Sequence, residues 1–281
     1  MSGSSDRFLD GRAAMVTGGA SGMGRAMALA FAEAGADVAV GSLLSDRSGT
    51  VADGEVAYLP GRGELDATAR EIEACGGRAL AMGLDVTSME SVETFFDAAV
   101  EAFGKVDILA NAAGITAEQT IVGHTDVLWQ KVLDVNLSGT YRSIKLCLPG
   151  MIEREWGRIV NIASTAASVG APTSGAYCAS KAGVVGLSRC VALEGAAHGV
   201  TCNTISPTWV ETGFGRDWMS GIAESQEGRP GEAYIADVKS ANPQGRLIQP
   251  SEIGALALYL CREEAVGVTM QDLTISAGSL W

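Results

Sequence analysis

The sequence predicts an α/β fold: one doubly wound, Rossmann-type parallel sheet of about seven strands with helices on both faces. Short apolar segments alternate with helical segments along the chain, and right-handed crossovers turn that order into a doubly wound sheet. The predicted strands are mostly continuous apolar runs, which is typical of strands buried on both faces of a parallel sheet. In addition, a glycine-rich turn joins the first strand to the first helix.

The composition favours one domain spanning residues 1–281, without a linker or a break in composition. Apolar residues make up 47% and charged residues 19%, which allows a large core. The net charge of −13 argues against a nucleic-acid or anionic-membrane partner. Since residues 1–10 lack an apolar signal core and no apolar run reaches membrane-spanning length, we expect a cytoplasmic protein.

A metal site is not expected. The six cysteines form no Cys-x-x-Cys pair, and only two histidines are present. Most of the cysteines lie in apolar periodic runs, where a buried free thiol is the ordinary interpretation. We therefore predict neither a zinc site nor a disulfide framework.

The first strand is predicted at 13–17, and a helical run covers 25–34. A strand, a glycine-rich turn and a helix in this order form the context of a dinucleotide site. Glycines let the backbone approach a pyrophosphate, and the helix N-terminus offers free N–H groups. The alternative is a tight turn selected only for packing. The candidate cofactor residues in this turn are Gly18, Ser21, Gly22, Met23 and Gly24.

The second strand, at 37–41, should end near the adenosine ribose, where an acid usually binds the 2′-hydroxyl. Here Gly41, Ser42 and Leu43 follow instead, and Ser42 can hydrogen-bond either ribose. No arginine in the turn or at 42–44 is placed to bind a 2′-phosphate. The sequence is therefore compatible with NAD and with NADP, and it favours NAD. Asp46 or Arg47 could decide the preference. Residues 43–63 exceed the usual loop length and are predicted to be an insertion or flap.

The remaining elements continue the alternation. Further strands are predicted at 78–83, 106–110, 158–162, 201–205 and 271–275. The predicted helices are one at 64–75, one capped by Thr87 or Ser88 that runs to Phe103, a long one from Thr125 or Asp126 interrupted near Asn136, one containing Tyr177, and one from Ser251.

Polar motifs follow several of these strands directly. In an open parallel sheet, ligands bind beyond the carboxyl ends of the strands, at the point where the strand order reverses. The motifs in question begin at Asp85, Asn111, Ser164 and Pro207. Their common placement predicts a single site at that edge of the sheet.

Tyr177 and Lys181 are four residues apart, so on a helix they lie on one face. An ammonium beside a phenol is expected to lower the phenol pKa from about 10, which would allow proton transfer near neutral pH. The alternative is a surface tyrosine packed on a lysine stem. The motifs at the strand ends favour the catalytic interpretation.

Together, these motifs resemble the short-chain dehydrogenase/reductase family over nearly the whole chain. The matching residues are Thr17-Gly18 with Gly22 and Gly24, Asp85-Val86, Asn111-Ala112-Ala113-Gly114, Asn136, Ser164, Tyr177 with Lys181, and Pro207 followed by Thr212. The sequence departs from the family pattern at Thr208, where glycine is common, and near both Thr269-Met270 and the final residues.

The resemblance implies a catalytic set. Tyr177 would exchange a proton with the substrate oxygen, and Ser164 would hydrogen-bond that oxygen. Lys181 would lower the Tyr177 pKa and bind the nicotinamide ribose. Asn136 would order a water that connects Lys181 to solvent. As alternatives, Ser164 could cap a strand end, and Asn136 could bond backbone groups freed by a helix break.

The resemblance also implies a cofactor set. Asp85 would accept from the adenine amino group, with Val86 contributing its backbone, although Asp85 could instead form a turn. Thr212 would contact the nicotinamide carboxamide. The other residues implied to line the cofactor are Asn111, Ala112, Gly114, Pro207 and Val210, together with Tyr177 and Lys181.

The implied activity is hydride transfer between NAD or NADP and a secondary alcohol or ketone. Residues 207–246, the lid segment, are predicted to close over a medium-sized, partly apolar substrate, because the segment is rich in aromatic residues. A small satellite core is the alternative interpretation, and Arg216 or Arg229 keeps carboxylate recognition open.

Two alternative functions are a reductase of 3-oxoacyl thioesters, which the acidic chain disfavours, and a non-catalytic dinucleotide sensor. The sensor is disfavoured because Ser164, Tyr177, Lys181 and Asn136 are all present. The region 175–197 has few charges, which predicts a subunit contact and a homotetramer, or a homodimer.

Overall fold

The computed structural model describes residues 7–46 and 54–279. Its main sheet has seven strands, all paired in parallel, as predicted. In chain order, with two further short strands, the strands are β1 (Ala13–Thr17), β2 (Asp37–Ser42), β3 (Glu55–Val56), β4 (Ala79–Gly83), β5 (Ile108–Asn111), β6 (Thr116–Ala117), β7 (Gly157–Ile162), β8 (Val200–Pro207) and β9 (Asp272–Ile275). The seven predicted strands agree with the observed ones to within two residues at each end.

The order of the strands in the sheet is β4-β2-β1-β5-β7-β8-β9. The chain runs outward in one direction from β1 and then in the other from β5, so the order reverses between these two strands. A crevice opens at such a reversal, beyond the carboxyl ends of the strands. The glycine turn that follows β1 lies at this crevice.

Helices cover both faces of the sheet. Buried side chains of α1, α2 and α9 form the core on one face, and those of α3, α5 and α6 form the core on the other. The helices are α1 (Gly22–Glu33), α2 (Arg62–Ala74), α3 (Met89–Phe103), α4 (Asp126–Leu133), α5 (Gly139–Glu153), α6 (Gly175–Gly195), α7 (Gly213–Ile222), α8 (Gly231–Ala241) and α9 (Pro250–Tyr259).

The predicted interruption near Asn136 is a π-helical turn, Asp134–Ser138, between α4 and α5. Such turns hold one residue more than an α-helical turn and are frequent at functional sites. Asn136 is buried in this turn. Its backbone carbonyl accepts a hydrogen bond from the Thr140 hydroxyl at 2.8 Å, which satisfies an oxygen that the irregular turn leaves free.

The insertion contributes a strand that the sequence did not predict. Glu55 and Val56 of β3 pair antiparallel with Thr116 and Ala117 of β6, and so form a small second sheet. The ammonium of Lys131 lies 2.7 Å from the Glu55 carboxylate and ties this sheet to α4. Arg47, one of the candidates for cofactor preference, lies outside the described residues.

The lid segment contains α7 and α8, with a π-helical turn at Ala223–Glu227 between them. Met219, Ile235 and Leu247 are buried together, and Trp209 packs against them. The satellite core considered as an alternative is therefore present. No described helix is both long and apolar enough to cross a bilayer.

Candidate active site

Two adjoining cavities lie at the carboxyl edge of the sheet. The larger has a volume of about 1260 Å³ and extends over the glycine turn. The smaller has a volume of about 280 Å³ and lies under the lid segment. Tyr177 lines both cavities, as do Met23, Thr212 and Phe214. A group held by Tyr177 can therefore face either cavity.

The glycine turn is shaped for close backbone approach. Gly18 has φ +69°, and a Cβ there would lie 2.8 Å from the Ala113 backbone nitrogen. A Cβ on Gly24 would lie 2.2 Å from the Gly18 carbonyl oxygen, so helix α1 packs on the turn only because glycine is present. Ser21, the N-cap residue of α1, makes no side-chain cap hydrogen bond, which leaves the first helical N–H groups available to an anion.

This turn fits a dinucleotide pyrophosphate. Ser21, Gly22, Met23 and Gly24 all line the larger cavity, together with Gly18. The residues predicted to bind the pyrophosphate therefore lie on one cavity wall, at the N-terminus of α1 and beside the point where the strand order reverses.

The residues predicted for the adenosine end also line the larger cavity. The Ser42 hydroxyl oxygen accepts a hydrogen bond from the Ala20 backbone N–H at 3.0 Å, which fixes the side chain against the turn. One Asp85 carboxylate oxygen accepts from the Thr87 backbone N–H at 2.9 Å and from the Thr87 hydroxyl at 2.7 Å. The turn-forming role considered for Asp85 is therefore present. Val86, Ala112 and Gly114 lie on the same wall.

Asn111 and Asn136 line neither cavity. The Asn111 amide donates to Asn161 at 2.8 Å inside the sheet, and its contact with the cofactor stays a prediction. The Asn136 amide binds the Ile115 backbone N–H and carbonyl, each at 2.9 Å, and donates to the Ser180 hydroxyl at 2.9 Å. Asn136 thus has the backbone-binding role that was considered as its alternative, and its water-ordering role stays a prediction.

Ser164, Tyr177 and Lys181 converge where β7 meets α6. The Ser164 hydroxyl accepts from the Ala166 backbone N–H at 3.1 Å, and the Ser164 side chain is close enough to Tyr177 to lower the pKa of the phenol. Lys181 donates to the Ile162 carbonyl at 2.8 Å, and its ammonium nitrogen lies 5.6 Å from the centroid of the Tyr177 ring. The three predicted catalytic side chains are therefore neighbours.

The predicted lowering of the Tyr177 pKa is wrong for this structure. Burial raises the pKa of Tyr177 to about 12 and outweighs its hydrogen bond with Ser164. Burial also lowers the pKa of Lys181 to about 8. The ammonium is directed to a backbone carbonyl rather than to the phenol, so desolvation dominates both groups. At neutral pH, Tyr177 is a neutral proton donor.

The smaller cavity has an aromatic wall. The ring of Trp218 meets that of Tyr177 edge-on, with 5.0 Å between centroids, and meets that of Trp209 at 4.8 Å. Ser164, Pro207 and Val210 line this cavity rather than the larger one. Thr212 caps α7 by accepting from the Gly215 N–H at 2.9 Å, at the junction of the two cavities.

Several polar residues of the smaller cavity, Thr208 and Glu118 among them, were not predicted as site residues. The Thr208 hydroxyl is buried and has no hydrogen-bond partner among the described residues. Its departure from glycine was visible in the sequence, but its position in the cavity was not. Glu118 follows β6, and no motif marks it.

Comparisons with known proteins agree on one family. A family model described as enoyl-(acyl carrier protein) reductase matches residues 49–279. A D-beta-hydroxybutyrate dehydrogenase of Cupriavidus necator is 35% identical over 92% of this chain and 93% of its own length. The 3-oxoacyl-(acyl-carrier-protein) reductase FabG of Vibrio cholerae is 34% identical over 96% of this chain and 98% of its own. A crystal structure of an actinorhodin polyketide ketoreductase with NADPH superposes with a TM-score of 0.85 at 34% identity, covering 95% of this chain and 96% of that one.

The fold, the site and these similarities define an NAD(P)-dependent oxidoreductase that acts on alcohols and ketones. The chain belongs to the short-chain dehydrogenase/reductase family, as its motifs indicated.

The buried Lys181 ammonium should make stability depend on pH. Its folded pKa is about 8, against an ordinary value of 10.5, so between these pH values the unfolded chain binds more protons than the folded one. Stability contributed by this site therefore rises with pH across that window. Relative to Lys181→Met, the free energy of unfolding of the cofactor-free protein should gain up to about 3 kcal/mol from pH 8 to 10.5, measured by urea denaturation.

The matched control is Lys145→Met, which removes an exposed lysine from α5. The difference in free energy of unfolding between Lys145→Met and the wild type should not change over the same pH range. A flat difference for Lys181→Met would show that the ammonium is not buried as described.

Proposed function

We propose that this enzyme interconverts a medium-sized, partly apolar secondary alcohol and its ketone, with Tyr177 as the proton donor and acceptor. The observation that carries the proposal is the position of Tyr177 in the wall of both cavities, beside Ser164. The larger cavity suits the dinucleotide, and the smaller one, with its aromatic wall, suits the substrate.

In carbonyl reduction, Ser164 holds the substrate oxygen by a hydrogen bond while Tyr177 gives that oxygen its phenolic proton. The Tyr177 pKa of about 12 keeps the proton on the phenol until the oxygen acquires alkoxide character and becomes the stronger base. The nicotinamide, when bound, supplies or accepts the hydride. Lys181, which also lines the larger cavity, is placed to bind the nicotinamide ribose.

The reverse reaction needs the Tyr177 phenolate, and burial opposes its formation. The resting site therefore favours reduction at neutral pH. Alcohol oxidation should gain relative to reduction as pH rises, because deprotonation of the phenol then costs less.

The Tyr177→Phe variant tests the proposed chemistry. It removes the proton and leaves the ring that packs on Trp218, so kcat for ketone reduction should fall by about 10²–10⁴ while cofactor affinity stays within about twofold. Steady-state kinetics and fluorescence titration with the cofactor measure the two effects. Tyr259→Phe, on an exposed tyrosine at the end of α9, is the matched control and should change neither. Unchanged turnover in Tyr177→Phe would remove this residue from the mechanism.

We also propose NAD as the preferred cofactor. Glu64 and Glu71 line the larger cavity, and the guanidinium of Arg25 is paired with Glu71. A 2′-phosphate would add about two negative charges beside these acids.

The ratio of kcat/KM for NAD to that for NADP should therefore exceed about ten, measured with the same alcohol. If Arg25 is engaged by Glu71 and does not bind the cofactor, Arg25→Gln should leave this ratio unchanged. A preference for NADP that Arg25→Gln abolishes would contradict the assignment.

A 3-oxoacyl thioester is the second candidate substrate, supported by the similarity to the Vibrio cholerae reductase. The net charge of −13 opposes docking of an acidic carrier protein. Free ketones therefore remain the preferred candidate substrates. The kcat/KM for a thioester compared with that for free ketones separates the two candidates. The cytoplasmic location and the closing motion of the lid segment stay predictions.

We propose a homotetramer that uses the outer faces of α5 and α6. Tyr141 on α5 is 49% exposed and Leu193 on α6 is 68% exposed, although both are large apolar side chains. Sedimentation equilibrium should give four times the mass of one chain. Leu193→Glu should reduce that mass, and Val122→Glu, at a 99% exposed position before α4, should not. A monomeric wild type would contradict the proposal.

A further inference from the structure

Glu118 is the charged residue in the wall of the smaller cavity. It lies just after β6 and shares the cavity with Ser164 and Tyr177. Across the part of the chain that the structure describes, no lysine, arginine or histidine lines this cavity. The charge that a substrate meets here is therefore negative.

Four side chains bind the Glu118 carboxylate, and all of them can donate. Oε1 accepts from the Ser174 hydroxyl at 2.8 Å and from the Trp218 indole N–H at 2.5 Å. Oε2 accepts from the Thr173 hydroxyl at 2.5 Å and from the Gln226 amide at 3.4 Å. Each oxygen thus has one partner that precedes α6 and one in the lid segment. An environment in which every partner can donate suits an ionised carboxylate, which can only accept.

The backbone that presents these hydroxyl groups is strained. Thr173 has φ +65°, a left-handed conformation that a β-branched residue rarely adopts. The Gln119 backbone N–H donates to the Thr173 carbonyl at 2.8 Å, and Gln119 forms a parallel bridge with Ser174. Strain of this kind persists where neighbouring contacts over-determine it, and it clusters at ligand sites. The position of the Glu118 carboxylate is therefore built into the cavity.

The two arginines that kept carboxylate recognition open are engaged elsewhere. Arg216 pairs with Glu211 at 2.5 Å and with Glu232 at 3.0 Å. Arg229 pairs with Glu227 and Asp237. Neither arginine lines the smaller cavity. The lid segment thus brings no free guanidinium to a substrate carboxylate.

We propose that Glu118 determines substrate specificity: its charge makes the smaller cavity reject hydroxy acids and keto acids and accept uncharged alcohols and ketones. This inference rests on the proposed function. In a cavity of about 280 Å³, a substrate carboxylate cannot move far from Glu118, so the two anions repel each other at short range.

The test compares two substrates of nearly equal size and different charge, 3-oxobutanamide and 3-oxobutanoate. For the wild type, kcat/KM should be at least about tenfold higher for the amide, as expected for one unscreened like-charge contact. Glu118→Gln should reduce this ratio at least fivefold (about 1 kcal/mol), mainly by raising kcat/KM for the acid. Glu118→Asp keeps the charge and should keep the amide preferred.

Glu224→Gln is the matched control. It removes the same charge from an exposed position of the lid segment outside both cavities, and should leave the ratio unchanged. Equal reduction of acid and amide by the wild type would overturn the inference alone. So would a Glu118→Gln variant in which both kcat/KM values fall together, because Glu118 would then only hold Trp218. Failure of the wild type to reduce the amide and larger, partly apolar ketones alike would overturn the proposed function and this inference with it.

Discussion

The desolvation of Tyr177 and Lys181 is the interaction on which the site depends. Both side chains lie where α6 covers the end of the sheet, at 8% and 5% exposure. Burial raises the pKa of the phenol to about 12 and lowers that of the amine to about 8, so at neutral pH the phenol keeps its proton and Lys181 is still an ammonium. This state needs a partner for the amine, which the Ile162 carbonyl supplies at the end of β7. Ser164, at the start of the turn that follows β7, lies beside the phenol and partly offsets the rise in its pKa.

Two segments outside the seven-stranded sheet close the cavities. The insertion places Tyr58 in the wall of the larger cavity, and its hydroxyl donates to Glu64 at 2.7 Å. Tyr58 packs so closely on Gly213 that a Cβ there would lie 2.8 Å from the tyrosine ring. The insertion and the start of α7 therefore meet over the junction of the two cavities. Ser164 follows β7 and Tyr177 and Lys181 lie on α6, and these two segments line the cavities around them.

The sheet was predictable because strands buried on both faces appear in the sequence as continuous apolar runs, and a run such as Ala13–Thr17 has the length of a strand rather than of a helix. The pair β3 and β6 was not predictable. Each has two residues, too few for any periodic pattern, and the pairing joins segments about sixty residues apart. Glu118 was not predictable for the same reason. Trp218 and Gln226, which donate hydrogen bonds to it, lie in the lid segment far along the chain.

For the site itself, sequence motifs located the groups but not their surroundings. The spacing of Tyr177 and Lys181 predicted that they are neighbours, and they are, but spacing carries no information on solvent exposure, which sets the direction of both pKa shifts. Asn111 was placed correctly at the end of β5. Which way its amide points depends on Asn161 in the neighbouring strand, a contact that the motif does not encode.

The π-helical turn at Asp134–Ser138 has a consequence for how the chain tolerates length changes. The turn stores one surplus residue, and its loss would let α4 and α5 join as a single regular helix. Each residue advances an α-helix by about 100° around its axis, so the deletion of one residue would rotate α4 by that angle relative to α5. The Asn136 side chain would then lose its hydrogen bonds to the backbone N–H and carbonyl of Ile115. The π-helical turn therefore fixes the rotation of α4 relative to α5 about the helix axis.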